Sequence, residues 1–178
     1  MNRSIPQWQT AGFLFTSVTG TLLHFLFDWT GGNVLAAVFS AVNESIWEHM
    51  KLLFYPMLLF ALVEYRVWGK EHSEFWYVKT VGILAGLVLI PTLYYTYTGI
   101  LGISADWFNI TIFFLAAAVS FYLETRLFQK NLARLFPGGL AVLILIGLIF
   151  TLATFYPPRI PFFKDPLTGT YGFFRCSA

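Results

Sequence analysis

Five ionisable side chains in the first third of the chain have the types and spacing to do chemistry: His24, Asp28, Glu44, Glu48 and His49. Within Asn43-Glu44-Ser45-Ile46-Trp47-Glu48-His49-Met50-Lys51, Glu44 and Glu48 share one face of a helix, with Lys51 three further on and Tyr55 on the next turn. Ser45 and His49 form the neighbouring stripe. His24 and Asp28 have the same four-residue spacing, at which a carboxylate can fix an imidazole's tautomer and raise its basicity. Two chemistries follow. Glu44, Glu48 and His49 are candidate catalytic residues acting as general base and acid, and His24, Asp28, Glu44 and Glu48 are candidate ligands of a divalent metal. The plainer alternative is a helix start, in which Asn43 or Ser45 caps, Glu48 closes a Ser-x-x-Glu capping box and Lys51 pairs with Glu48. That alternative leaves His49 without a role, one turn into an apolar run where ionisable groups are costly and usually functional.

Other polar residues belong at the same level. Asn43, Lys51, Tyr94, Tyr95, Asp106 and Asn109 are expected to line the pocket, although Asp106 also suits a helix N-cap and the tyrosines an interfacial belt. His72 reads as a solvated loop residue, and Cys176, the one cysteine, has no disulfide partner. No Gly-rich phosphate loop, Gly-x-Ser-x-Gly elbow or His-Glu-x-x-His helix occurs, so no named catalytic motif is matched.

These residues need elements to position them, and composition says which. Of 178 residues, 57% are hydrophobic and 11% charged, where a soluble domain carries about a quarter charged residues. An ordinary cytosolic domain is excluded, and a net charge of +2 gives no nucleic-acid footprint. The expected fold is a single all-α transmembrane bundle of about five spans, near 9–28, 47–65, 76–98, 107–128 and 138–156, with an outer tail at 157–178. All six tryptophans fall at or just beyond a span end, the level their amphipathic rings prefer. Arg3, Arg66, Lys70, Lys79, Arg126, Lys130 and Arg134 gather on one side if there are five spans. The positive-inside rule then places the N-terminus in the cytoplasm and the tail outside.

Between the first two spans, Thr30-Gly31-Gly32-Asn33 and the short apolar run 34–42 cannot cross a bilayer, so this piece is expected to be re-entrant or interfacial. Pro56 and Pro91 are expected to kink their helices, and Gly82-x-x-x-Gly86 to permit close helix approach. The tail should extend through Tyr156-Pro157-Pro158, turn at Asp165-Pro166-Leu167-Thr168-Gly169, and pack its aromatic residues Phe162, Phe163, Tyr171, Phe173 and Phe174 back on the outer surface.

The segment Asn43 to Lys51, with Leu23-His24-Phe25-Leu26-Phe27-Asp28-Trp29-Thr30-Gly31-Gly32 before it and Asp165-Pro166-Leu167-Thr168-Gly169-Thr170-Tyr171-Gly172 near the end, resembles a family of small bacterial multi-pass membrane proteins of unknown function. The resemblance runs nearly end to end and implies a membrane helix bundle in the bacterial cytoplasmic membrane. It brings no activity and no functional residue. From the residues themselves, the first functional reading is a membrane-embedded enzyme acting on a lipid or other apolar substrate, with a divalent metal as the candidate cofactor. The alternatives are a protein that binds or transports an ion, proton or lipid headgroup, and a non-catalytic membrane partner whose charges link helices. The expected partners are the bilayer and a lipid or apolar small molecule; the number of copies is left open.

Overall fold

The computed structural model describes residues 4–130 and 138–173. Arg3, Arg134, Phe174 and Cys176 lie outside the described residues. Among the described residues there are six helices: α1 (Ser4–Trp29), α2 (Val34–Phe39), α3 (Ile46–Val67), α4 (Phe75–Leu101), α5 (Asp106–Phe128) and α6 (Gly139–Phe155). Single 3-10 turns sit at Gly69–Glu71 and Pro161–Phe163. The fold is thus all-α, and α1, α3, α4 and α5 are long and apolar enough to cross a membrane. The fifth expected span, α6, is a shorter apolar helix of 17 residues, about 25 Å long at 1.5 Å per residue. Tyr156-Pro157-Pro158 stops it, because a proline disfavours the helical conformation of the residue before it.

The expected interfacial piece between the first two spans is a six-residue helix, α2. Gly31 and Gly32 take φ of 63° and 75°, a left-handed turn that glycine adopts without strain, and it reverses the chain after α1. Asn33 then caps α2, its Oδ1 accepting from Leu35 N at 2.8 Å. α2 packs on α1, α3 and α6 at one end of the bundle, and the 3-10 turn of the tail packs on α3.

The long helices alternate in direction. α1 packs on α3 and α5, α4 on α3, α5 and α6, and a core of Leu53, Phe54, Ile83, Ala116, Leu143 and Phe150 fills the space between. Residues Ile5, Gln9, Gly12, Thr16 and Gly20 form the buried face of α1, at spacings of three and four, and His24 continues that face. This face carries small residues because helices without a hydrophobic drive between them associate through close packing. Gly20 is the tightest point near the candidate site: a Cβ there would lie 2.6 Å from the Leu52 carbonyl oxygen and 2.6 Å from the Phe113 ring. A backbone oxygen cannot rotate away, so Gly20→Ala must push α1 off α3. Although alanine is the better helix former, this change is expected to destabilise by about 1–3 kcal/mol, measured as a fall in the thermal unfolding midpoint. An unchanged or raised midpoint would contradict the close approach.

Candidate functional site

The site forms where the C-terminal end of α1, the loop after α2 and the first turn of α3 meet. Ser40 ends α2, its hydroxyl donating to the Ala36 carbonyl at 2.6 Å. Asn43 then organises the loop: its Oδ1 accepts from Ser45 N at 2.9 Å, and its Nδ2 donates to the Gly172 carbonyl of the tail at 3.1 Å. Ser45 caps α3, accepting from Glu48 N at 3.4 Å. Glu44 stands at the middle of this loop and reaches back to both α1 and α3.

Three of the expected residues converge. Glu44 Oε2 lies 3.3 Å from His49 Nε2, Glu44 Oε1 lies 3.9 Å from His24 Nε2, and the two imidazole centroids are 5.3 Å apart. One ligand atom from each falls within 4.8 Å of the other two. His49 Nδ1 faces the Ser45 carbonyl at 2.9 Å. Both ring nitrogens of His49 therefore face oxygens that can only accept. A neutral imidazole carries one N–H, so with Nδ1–H on Ser45 the approach of Nε2 to the Glu44 carboxylate is favoured by a positive charge between them: a proton, making an imidazolium, or a metal ion. The hydrogen bond from His49 holds the Glu44 carboxyl below its usual range, opposed by partial burial. Ligands about 2.1 Å from a tetrahedral zinc stand roughly 3.4 Å from one another, so a set whose ligand atoms lie within 4.8 Å of one another would have to draw in to close on an ion.

Glu48 does not join this group. Its Oε2 pairs with Lys51 Nζ at 2.6 Å and accepts from Val42 N at 3.2 Å, while its Oε1 lies 2.9 Å from the Thr154 hydroxyl. Lys51 places its remaining protons on the Ala37 carbonyl, 2.9 Å, and Thr154 Oγ1, 2.8 Å. Glu48, Lys51 and Thr154 are buried to within 1% of complete. The structure places Glu48, expected as a catalytic base and metal ligand, and Lys51, expected as a pocket residue, in this closed and satisfied arrangement, which ties α2, α3 and α6 together, and not beside Glu44 and the histidines. The capping box is also only half formed, because Asn43 already occupies the Ser45 N–H that Glu48 would have taken.

The other candidates divide. Asp28 is exposed one turn beyond His24, and its carboxylate makes no hydrogen bond or ion pair among the described residues, so the expected metal-ligand role has no geometric support. Tyr94 and Tyr95 do line a cavity of about 140 Å³ together with Glu44, Lys164, Pro161 and Pro166. Asp106 and Asn109 stand apart from it. Asp106 is an exposed first-turn residue of α5 with Ala105 at the cap, and Asn109 accepts from the Tyr97 hydroxyl at 2.5 Å, bracing the α4–α5 turn. Asn43 shapes the loop rather than the cavity wall. His72 is half-buried and paired with Glu74 at 3.2 Å, against the solvated reading.

The tail closes over this end. Asp165 side-chain oxygens accept from Leu167 N at 2.8 Å and the Thr168 hydroxyl at 2.7 Å, forming the turn. Trp47 packs against Phe150, Phe162 and Phe163, with centroids 4.6 to 5.8 Å away. Phe173 N donates to the Thr154 carbonyl at 2.8 Å.

A second set of buried polar residues, Gln9, Glu64, Lys79 and Glu124, lies at the opposite end of the bundle and was not among the candidates. Lys79, expected to be an orienting loop base, is 1% exposed, because α4 begins at Phe75 and places it one turn inside the bundle. The available signal was the presence of Glu64 and Glu124 as lone acids within apolar runs.

In the comparison with known proteins, the model of a family described as "Family of unknown function (DUF6512)" matches residues 1–173. Neither the curated proteins nor the solved structures yield a match.

Proposed function

The chain belongs to the DUF6512 family of unknown function, and from that premise we propose that it is a membrane protein that binds a divalent transition metal through His24, Glu44 and His49 and acts there on an amphiphilic substrate. The observation that carries the reading is the facing of both His49 nitrogens toward oxygen acceptors, with Glu44 bridging to His24 Nε2. Two imidazoles and one carboxylate are a ligand set that leaves a coordination position open, and zinc so held brings bound water to a pKa of about 7. Ser45 serves this site by accepting from His49 Nδ1–H, which leaves Nε2 free to ligate.

The substrate class rests on what adjoins Glu44. An apolar groove of about 680 Å³ runs between α3, α4 and α6, lined by residues including Trp47, Leu87, Pro91, Tyr95 and Ile149. Tyr95 also lines the small cavity that holds Glu44 and the Lys164 side chain. A molecule with an apolar chain in the groove would bring its polar end to Tyr95, Glu44 and Lys164. In this reading the protein lies in the bacterial cytoplasmic membrane with its N-terminus inside, and the histidine end faces out. Arg66, Lys70, Arg126 and Lys130, all exposed at the opposite end, support that orientation without Lys79.

The test is elemental analysis and zinc titration of the full chain purified in detergent, after chelation. One zinc or similar ion per chain is expected, with proton release on binding. If titration shows no saturable site, the His24–Glu44–His49 group is an imidazolium–carboxylate link and the metal reading fails.

A further inference from the structure

We infer that Gln9, Glu64, Lys79 and Glu124 form a second functional site, at the end of the bundle away from the histidines, which binds one exchangeable proton carried on Glu124. The four come from four different helices, α1, α3, α4 and α5, and each is at most 2% exposed. Lys79 Nζ lies 2.6 Å from Glu124 Oε2, contacts Glu64 Oε2, and stands 3.4 Å from Gln9 Oε1. Gln9 Nε2 in turn donates to Glu64 Oε1 at 2.9 Å. The rings of Phe75, Phe121 and Phe128 wall in the ammonium at 5.7 to 5.9 Å.

The charge count is the first argument. Two carboxylates and one ammonium leave one negative charge over, in an enclosure where an uncompensated ion is strongly disfavoured. No other charged group faces the cluster among the described residues. α1 contributes only the neutral Gln9, and beyond the aromatic wall Tyr65 lies against Phe75 and Trp76 while His72 is taken up by Glu74. One proton settles the balance.

Hydrogen-bond supply then says where the proton sits. Glu64 Oε1 accepts from Gln9 Nε2 and its Oε2 is in ion-pair contact with Lys79 Nζ without hydrogen-bond geometry, so both of its oxygens face a donor or a positive charge and it is the ionised member. Glu124 faces a donor only at Oε2, and its buried Oε1 has no partner among the described residues. Lys79 donates to Glu124 Oε2 and Gln9 Oε1 and pairs with Glu64 Oε2, and it makes no contact with Glu124 Oε1. A metal cation is the poorer occupant, since it would stand beside an ammonium that already engages the same oxygens. The room at Oε1 is also narrow. Glu124 lies against Gly82, where a built Cβ would be 2.5 Å from Oε1 and 2.4 Å from Cγ. Glycine at that position therefore makes space for the carboxyl group itself. Dissociation is a simple balance: Glu124 COOH gives its carboxylate and one proton to water when this end of the bundle opens.

Infrared difference spectroscopy of the full chain in lipid vesicles, titrated with pH in H₂O and D₂O, tests this. The expected result is a protonated-carboxyl C=O stretch at neutral pH that shifts in D₂O, disappears at alkaline pH, and is missing from Glu124→Gln. Glu64→Gln is the second variant: with one carboxylate removed, Glu124 ionises against Lys79 and the band is again lost, while the protein stays folded. Absence of the band from the unmodified protein, or its persistence in both variants, would overturn the assignment. So would a missing band combined with a melting temperature that rises with sodium, which would replace the proton by a cation.

Discussion

Glu48→Gln is expected to destabilise the folded chain by about 3–5 kcal/mol, the cost of leaving one member of a buried ion pair without its partner. Lys51 is fully buried, and its ammonium has one anionic neighbour, Glu48 Oε2 at 2.6 Å; its other acceptors are the neutral Ala37 carbonyl and Thr154 hydroxyl. The amide keeps the shape of the side chain but removes the charge. Lys51→Met has the mirror effect and should cost a similar amount, since it strands the carboxylate. The double variant, Glu48→Gln with Lys51→Met, should recover much of the loss, because a pair replaced by neutral groups avoids the desolvation of both ions. Unfolding of the three variants in detergent or lipid decides the matter. If Glu48 were only a helix cap, Gln would serve nearly as well and the loss would stay under about 1 kcal/mol. A small loss, or a double variant as unstable as the sum of the singles, would rule out the lock.

Removing either imidazole should abolish metal binding while leaving the fold in place. For His24→Ala and His49→Ala the affinity is expected to drop by at least about 100-fold, beyond the 10- to 100-fold typical of losing an outer-shell partner. Metal at 100 times its dissociation constant stabilises by about 2.7 kcal/mol, and that increment should vanish in both variants. The metal-free variants should melt within about 1–2 kcal/mol of the parent, since the His24 and His49 side chains are only partly buried, at 30% and 28% exposed. Affinity should also fall as the pH is lowered, as protons compete for the nitrogen positions. Calorimetric titration of the parent and variants at two pH values gives all of these numbers. Retained affinity in His24→Ala would mean that Glu44 and His49 alone hold the ion and that α1 is no part of the site.

Much of the helix pattern was legible because it is local. Long apolar runs, a Gly-Gly turn and proline stops mark their own boundaries. Among the described residues α6 runs over Gly139–Phe155, close to the apolar run 138–156 that marks it in the sequence. The meeting of Glu44 with His49 was also local, one loop residue beside the first turn of its helix. His24 was legible only as a residue of the right kind at the right depth. The fate of Glu48 was not legible, because a site residue and a lock residue share the same spacing to Lys51. The atoms that decide between them, the Ala37 carbonyl and the Thr154 hydroxyl, stand 14 and 103 residues from Lys51. Lys79 was misplaced for a related reason: a base at a span edge looks like a loop residue until the helix is seen to start at Phe75.

The pairing of Glu48 with Lys51 on one helix also bears on how the chain is made. Thr154 follows Lys51 by 103 residues, so α3 is synthesised long before the hydroxyl that completes its polar network. A lone lysine or aspartate at the centre of an inserting helix costs about 2.5–3.5 kcal/mol on the translocon scale. Opposite charges three residues apart can leave the insertion channel already neutralised by each other. Lys79 has no such partner on its own helix and meets Glu64 only when α3 and α4 enter as a hairpin. Glu124 arrives one helix later, onto a lysine that is already paired. The first ion pair thus travels with its helix, the second needs two helices, and the last carboxyl group reaches the bundle when no free counter-charge is left for it.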